Sequence, residues 1–183
     1  MDTYSVAAQE LYLSFDGRGD TSWRISKPLP GESNAYDIEL LGLTALEPGQ
    51  PSPDSPGLRY RRTVRPTQGR LSNRPTAGLM ITLLDARDRH DADAVQSLRD
   101  WADFVHIPPL ATSGTPGLTL ISPYDVVGEG PLYLHLLEFD CDPDDGSKAM
   151  TKRVSGQLDK PQLGAFLNHP QKARAFGATF VPR

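Results

Sequence analysis

Six prolines crowd one stretch of the chain, Pro48, Pro51, Pro53, Pro56, Pro66 and Pro75, with Gly, Ser and Gln between them. Each fixes φ and removes an amide donor, so neither a helix nor a central strand is expected to run through residues 47–75. The chain therefore divides into an N-terminal segment, residues 1–47, a Pro-rich connection, residues 48–75, and a C-terminal unit, residues 76–183. Within the connection, Leu58 to Val64 (LRYRRTV) suits a short edge strand. The rest reads as a mobile link draped over the surface.

Beyond Pro75 the pattern is regular. Gly78 to Leu84 (GLMITLL) is a nearly continuous apolar run, as a buried strand requires. Asp91 or Asp93 caps a helix that runs to about Val105, with Val95, Leu98, Ala102 and Val105 as its apolar stripe, and Pro108-Pro109 is expected to end it. Pro116-Gly117 marks a turn into a strand, Leu118 to Val127, interrupted by Pro123. Gly128 and Gly130-Pro131 turn the chain into Leu132 to Phe139 (LYLHLLEF), the clearest strand in the sequence. Asp142 to Asp145 open a second helix, Met150 and Val154 lie on one face of it, and Gly156 closes it. A helical turn over residues 162–168 and a last strand, about residues 175–181, complete the unit.

Strand, helix, two strands, helix, strand is the β-α-β-β-α-β order of a ferredoxin-like α+β unit. Its helices cover one sheet face and leave the other apolar, and an apolar face needs a cover. A second copy of the sheet is the simplest one, which predicts a homodimer in the form of a dimeric, or pseudo-dimeric, α+β barrel. Before the linker, Gln9 to Phe15 and Tyr36 to Leu46 read as strands. The echo between Gln9–Asp16 (QELYLSFD) and Leu132–Asp140 (LYLHLLEFD) marks either a degenerate half-copy or two amphipathic strands of similar make-up.

Composition narrows the classes. A net charge of −4 over 183 residues gives no basic footprint for nucleic acid or an anionic membrane surface. The single cysteine, Cys141, excludes an intrachain disulfide and a Cys-based zinc site. No apolar run is long enough to span a bilayer, and Met1-Asp2-Thr3-Tyr4 is unlike a signal peptide, so cytoplasmic residence is the expectation.

Three segments carry a family resemblance over about residues 77–183. Trp101-Ala102-Asp103-Phe104-Val105-His106-Ile107-Pro108 is similar to a Trp-Tyr-x-x-x-His-(Leu/Ile/Val)-Pro helix end, with Ala102 in place of the Tyr. Pro116-Gly117-Leu118 resembles a Pro-Gly-aromatic strand start, with Pro123 where an Arg is usual. Tyr133-Leu134-His135-Leu136-Leu137-Glu138-Phe139 resembles Tyr-Leu-Ala-Leu-Tyr-Glu-(Leu/Phe), with His135 and Leu137 replacing Ala and Tyr. In this order the segments resemble the EthD-like branch of the dimeric α+β barrel superfamily. The resemblance implies a cofactor-independent enzyme that cyclises, dehydrates, isomerises or decarboxylates an aromatic or polyketide-like compound in the barrel cavity.

His106, at the end of its helix, should have a raised pKa and suit acid/base work. Alternation places Tyr133, His135, Leu137 and Phe139 on one strand face, taken as the cavity side, and Leu134, Leu136 and Glu138 on the helix side. His106 and His135 are thus the catalytic candidates, and Tyr133, Tyr124 and Trp101 the substrate-binding ones. His106, His135 and a carboxylate lack any local pair spacing, so no metal site is expected. Asp85 and Asp88, beside Arg87, Arg89 and His90, read as a solvated loop. The altered Tyr and Arg positions support a rival reading, a non-catalytic small-ligand-binding or assembly module. A cofactor-free monooxygenase is the third.

Overall fold

The computed structural model describes residues 6–31, 35–63 and 73–183. Its strands are β1 (Glu10–Ser14), β2 (Thr21–Pro28), β3 (Leu40–Leu46), β4 (Gly57–Arg62), β5 (Gly78–Ala86), β6 (Leu118–Val126), β7 (Tyr133–Phe139) and β8 (Lys172–Pro182). Between β5 and β6 run α1 (Ala92–Trp101), a π-helical turn (Ala102–His106) and α2 (Ile107–Thr112). Between β7 and β8 run α3 (Pro143–Gln157) and α4 (Lys160–Leu167).

The eight strands close into one barrel in the order β1-β3-β2-β8-β5-β7-β6-β4, every neighbour antiparallel. This overturns the expected ferredoxin-like α+β unit whose sheet pairs with a second chain. The reason lies in the two edges that such a unit leaves open. Here β6 pairs with β4, from Tyr60↔Val126 to Arg62↔Tyr124, and β8 pairs with β2, from Trp23↔Pro182 to Pro28↔Ala178. The barrel is thus closed by the chain's own N-terminal strands, and the helices are additions to one side of it.

The segment Leu58 to Val64 was expected at an edge. Its strand is β4, central between β1 and β6; Val64 itself lies outside the described residues. β2 had no sequence signal, because TSWRISKP alternates polar residues with only Trp23 and Ile25 as apolar members. The orders β4-β1-β3-β2 and β8-β5-β7-β6 are the same when each half is numbered from its own first strand. The sequence echo noted above joins β1, first in its half, to β7, third in its half. It therefore relates two amphipathic strands that are not topological equivalents.

The inward positions are filled by large side chains. Leu11 and Leu13 of β1, Leu41 and Leu43 of β3, Tyr60 of β4, Ile81 of β5, Leu134 and Leu136 of β7, and Phe176 and Phe180 of β8 are all buried in one cluster. At one end Tyr124 donates to the Ala8 carbonyl (2.9 Å) and accepts from the Ala8 amide (3.0 Å). Beside it the buried Glu138 carboxylate accepts from the Val6 and Ala7 amides (3.0 and 3.1 Å) and from the Thr76 hydroxyl. These bonds hold residues 6–8 across that end.

The outside differs between halves. α1 to α4 cover β5–β8 with two further apolar clusters, one around Phe139, Met150 and Val154, the other around Leu98, Trp101 and Tyr133. Among the described residues, no helix lies between β1 and β4. There the Glu10 carboxylate is 1% exposed, held by Arg59 (Nε–Oε2 2.8 Å, with a second Arg59 contact) and by Arg61 (Nε–Oε1 2.7 Å). The hydrogen bond from Arg59 comes first among the causes that hold the Glu10 carboxyl below its ordinary value of 4.5. Among the described residues, no helix is long and apolar enough to cross a membrane.

Two outcomes follow from this architecture. Light scattering at micromolar concentration is expected to give one 20.0 kDa chain, since the face that called for a second copy is covered from within; a stable particle of twice that mass would mean that a different surface pairs. Glu10→Gln should lower unfolding free energy by roughly 1–3 kcal/mol at neutral pH, through the loss of charge-assisted bonds. Because the folded pKa is depressed, that contribution is present above the unfolded value and is lost as pH falls through the folded one. The difference between wild type and variant in urea titrations should accordingly shrink under acid conditions.

Candidate functional site

Asp91 starts α1 by accepting from the Asp93 and Ala94 amides (2.9 and 3.2 Å). The helix was expected to end at Pro108-Pro109, but it continues to Thr112. The π turn explains this: the Ile107 amide bonds the Ala102 carbonyl, five residues back, so Pro108 and Pro109 sit at the start of a fresh helical segment, where a missing amide costs little. The wider turn also carries His106 onto the sheet.

His106, His135, Trp101 and Tyr133 come together; Tyr124 does not, being inside the barrel against Ala8. The His106 ring stacks on Trp101 (4.7 Å between centroids), on Phe166 (4.7 Å) and on His135 (5.8 Å). Its Nδ1 lies 3.0 Å from the Phe166 carbonyl, which makes Nδ1 the protonated nitrogen. Trp101 donates from Nε1 to the Ala165 carbonyl (2.7 Å) and lies under the Lys172 ammonium. His169 packs at a tilt against the edge of the group, 5.8 Å from Trp101. Tyr133 donates to the Val95 carbonyl (3.3 Å) and accepts from Arg99 (3.4 Å), which reaches Asp125 at 3.2 Å.

This cluster lies on the opposite face from the one predicted. Leu134, Leu136 and Glu138 point into the barrel, whereas Tyr133, Leu137 and Phe139 pack under the helices. β7 is buried along its whole length, so its sequence shows two apolar faces and no sign of which one is inner. The predicted pKa rise at His106 is likewise reversed. The helix does not end there, and burial of the half-buried ring among aromatics pushes its pKa down to about 4, outweighing the Phe166 carbonyl. The imidazole is thus neutral at neutral pH.

Two open clefts lie elsewhere. One, of about 390 Å³, runs between the end of β2 and one flank of α3, lined by Lys27, Pro28, Leu29, Asp144, Lys148 and Lys152 among others. The second, of about 530 Å³, holds Tyr36, Asp85, Arg89 and Glu129 near the Gly128–Gly130 turn. Asp85, expected in a solvated loop, is partly buried there; burial raises its pKa above the ordinary value, against the pull of Arg89 at 3.2 Å. The first cleft was missed by sequence reasoning. The spacing of Lys148, Thr151 and Lys152 on one helical face was the only available signal, and it did not show what would face it.

A closed eight-stranded barrel with helices on one side is the class that these observations define. No family model matches the chain, and no curated protein matches it. Among solved structures it is similar to one described as the structure of a major regulator of staphylococcal pathogenesis, with a TM-score of 0.54 at 10% identity over 95% of this chain and 99% of that one. At that identity the likeness concerns the fold alone. The EthD-like resemblance is overturned with the fold it implied: its helix end does not end a helix, and its cavity face is the helix-covered face.

His106→Ala removes the bond to Phe166 and the stack on Trp101, and should lower stability by roughly 1–3 kcal/mol in urea unfolding. The unfolded chain takes up the His106 proton near pH 6.5, the folded chain only near 4, so wild-type stability is full above the first value and falls between the two. That loss amounts to at most about 3 kcal/mol, and the variant should lack its share of it.

Proposed function

We propose that the chain is a non-catalytic binding module, whose barrel is a scaffold and whose outer surface does the binding. The observation that carries this reading is the filled interior. Tyr60, Ile81, Leu134, Leu136, Phe176 and Phe180 occupy the space that a barrel-cavity enzyme would give to substrate. The histidine pair supports the same reading. A neutral His106 whose Nδ1 proton is committed to the Phe166 carbonyl has no proton to deliver at neutral pH, and a pKa near 4 makes it a weak base there. It does suit a packed, hydrogen-bonded link that ties α4 to the π turn.

Equilibrium dialysis against a mixed pool of organic acids, phenols and aromatic polyketide-like compounds, read by mass spectrometry, tests this. Retention of a ligand with unchanged mass, equally in wild type and His106→Ala, is expected. A compound that disappears with wild type but survives with His106→Ala would restore acid/base catalysis and remove the module reading.

A further inference from the structure

We propose that the cleft between β2 and α3 is a binding groove for a small amphipathic anion, an aliphatic body with a carboxylate or phosphate head. The proposal rests on the reading of the chain as a binding module and gives that module its ligand class.

The first observation is how Lys27 reaches the groove. Along β2, Trp23 and Ile25 point inward, and unbroken alternation would send Lys27 into the barrel core. The register shifts between Ile25 and Lys27: Ile25 pairs with Phe180, which is inward, and Lys27 pairs with Thr179, the next residue along β8. The bulge therefore turns Lys27 to the outside, toward α3.

The second observation is what faces it. Asp144, Ser147, Lys148, Thr151 and Lys152 recur at helical spacing along the flank of α3 that borders the cleft. α3 covers the β8 side of the barrel, and among the described residues no helix follows it over β2, where this flank borders an open cleft. The facing wall, Pro28-Leu29-Pro30, is apolar and fixed: the Leu29 amide bonds the Gly177 carbonyl (2.9 Å) and Arg174 bonds the Pro30 carbonyl. Leu29 packs over Gly177, where a side chain would crowd it.

Charge supplies the third. Three ammonium groups line the groove against one carboxylate, Asp144, and both Asp144 oxygens are occupied, by the Ser26 hydroxyl (2.9 Å) and the Thr179 hydroxyl. Lys148 has only an exposed contact with Asp145 at 3.2 Å. Lys27 and Lys152 have no carboxylate within ion-pair reach among the described residues. In a chain of net charge −4, uncompensated cations converging on an apolar wall match an anion with an aliphatic body. Lysine ammoniums are point charges, which accept a carboxylate or a phosphate alike.

Calorimetric titrations of the full chain with octanoate, octyl phosphate, octylamine and 1-octanol test the proposal. Saturable binding of octanoate or octyl phosphate, with Kd of about 1 mM or tighter, is expected. Octylamine and octanol should bind at least about tenfold more weakly, and Lys27→Gln/Lys152→Gln should lower anion affinity by about tenfold or more while the melting temperature stays unchanged. The stronger of the two anions identifies the head group. Absence of saturable anion binding, equal binding of octanol, or full affinity in the double variant would each overturn the groove. None of these outcomes depends on His106, so a catalytic result in the dialysis experiment would remove the module reading and leave the groove standing.

Discussion

The sheet has to close, and the rest of the molecule follows from how it does. A four-stranded sheet formed by β5 to β8 alone would expose two rows of unpaired amides and carbonyls and a face of Leu, Ile and Phe side chains. The seams β4–β6 and β2–β8 satisfy both edges with strands of the same chain. Closure also sets which residues are core, because inward positions are now surrounded on every side. That is why Tyr60 and Tyr124, each with a polar tip, are wholly buried, with the hydroxyls bonded to the Pro131 carbonyl and to the Ala8 backbone. Burial lifts the Tyr124 pKa to about 12, so this tie stays neutral and intact across the ordinary pH range.

Covering the outside is a separate problem, and the two halves solve it differently. Helices shield β5–β8 with apolar contacts. On β1–β4 the cover is made of long side chains: Arg59 and Arg61 fold over Glu10, and the Tyr12 ring lies over Gly57, where no side chain competes for the space. Such a surface needs no helix, and among the described residues the flank of α3 beside β2 has no helix packed on it. The groove is a product of that asymmetry.

The histidine cluster shows one physical effect overriding another. A helix terminus favours the imidazolium, yet the π turn keeps the helix going past His106 and stacks its ring among Trp101, Phe166 and His135. Desolvation then dominates, and the group becomes neutral. In three dimensions these residues also tie together α1, the π turn, α4 and β7.

Local features were legible in the sequence because local chemistry fixes them. Asp91 and Asp142 cap helices where acidic residues precede apolar periodicity; Gly117, Gly128 and Gly130 take positive φ at their turns; β1, β5, β7 and β8 follow runs of apolar residues. Trp101 and His106, five residues apart, are not neighbours on an α-helical face; the π turn between them brings their rings together. Three things were decided only by tertiary structure. Closure within one chain depended on pairings between residues far apart in sequence, such as Lys27 with Thr179 and Tyr60 with Val126. The inward face of β7 depended on what lay on each side of it, since both faces are apolar. The direction of Lys27 depended on a one-residue bulge that leaves no mark on composition or periodicity. Each is a long-range pairing choice, and a strand's sequence carries its alternation but not the identity of its partner.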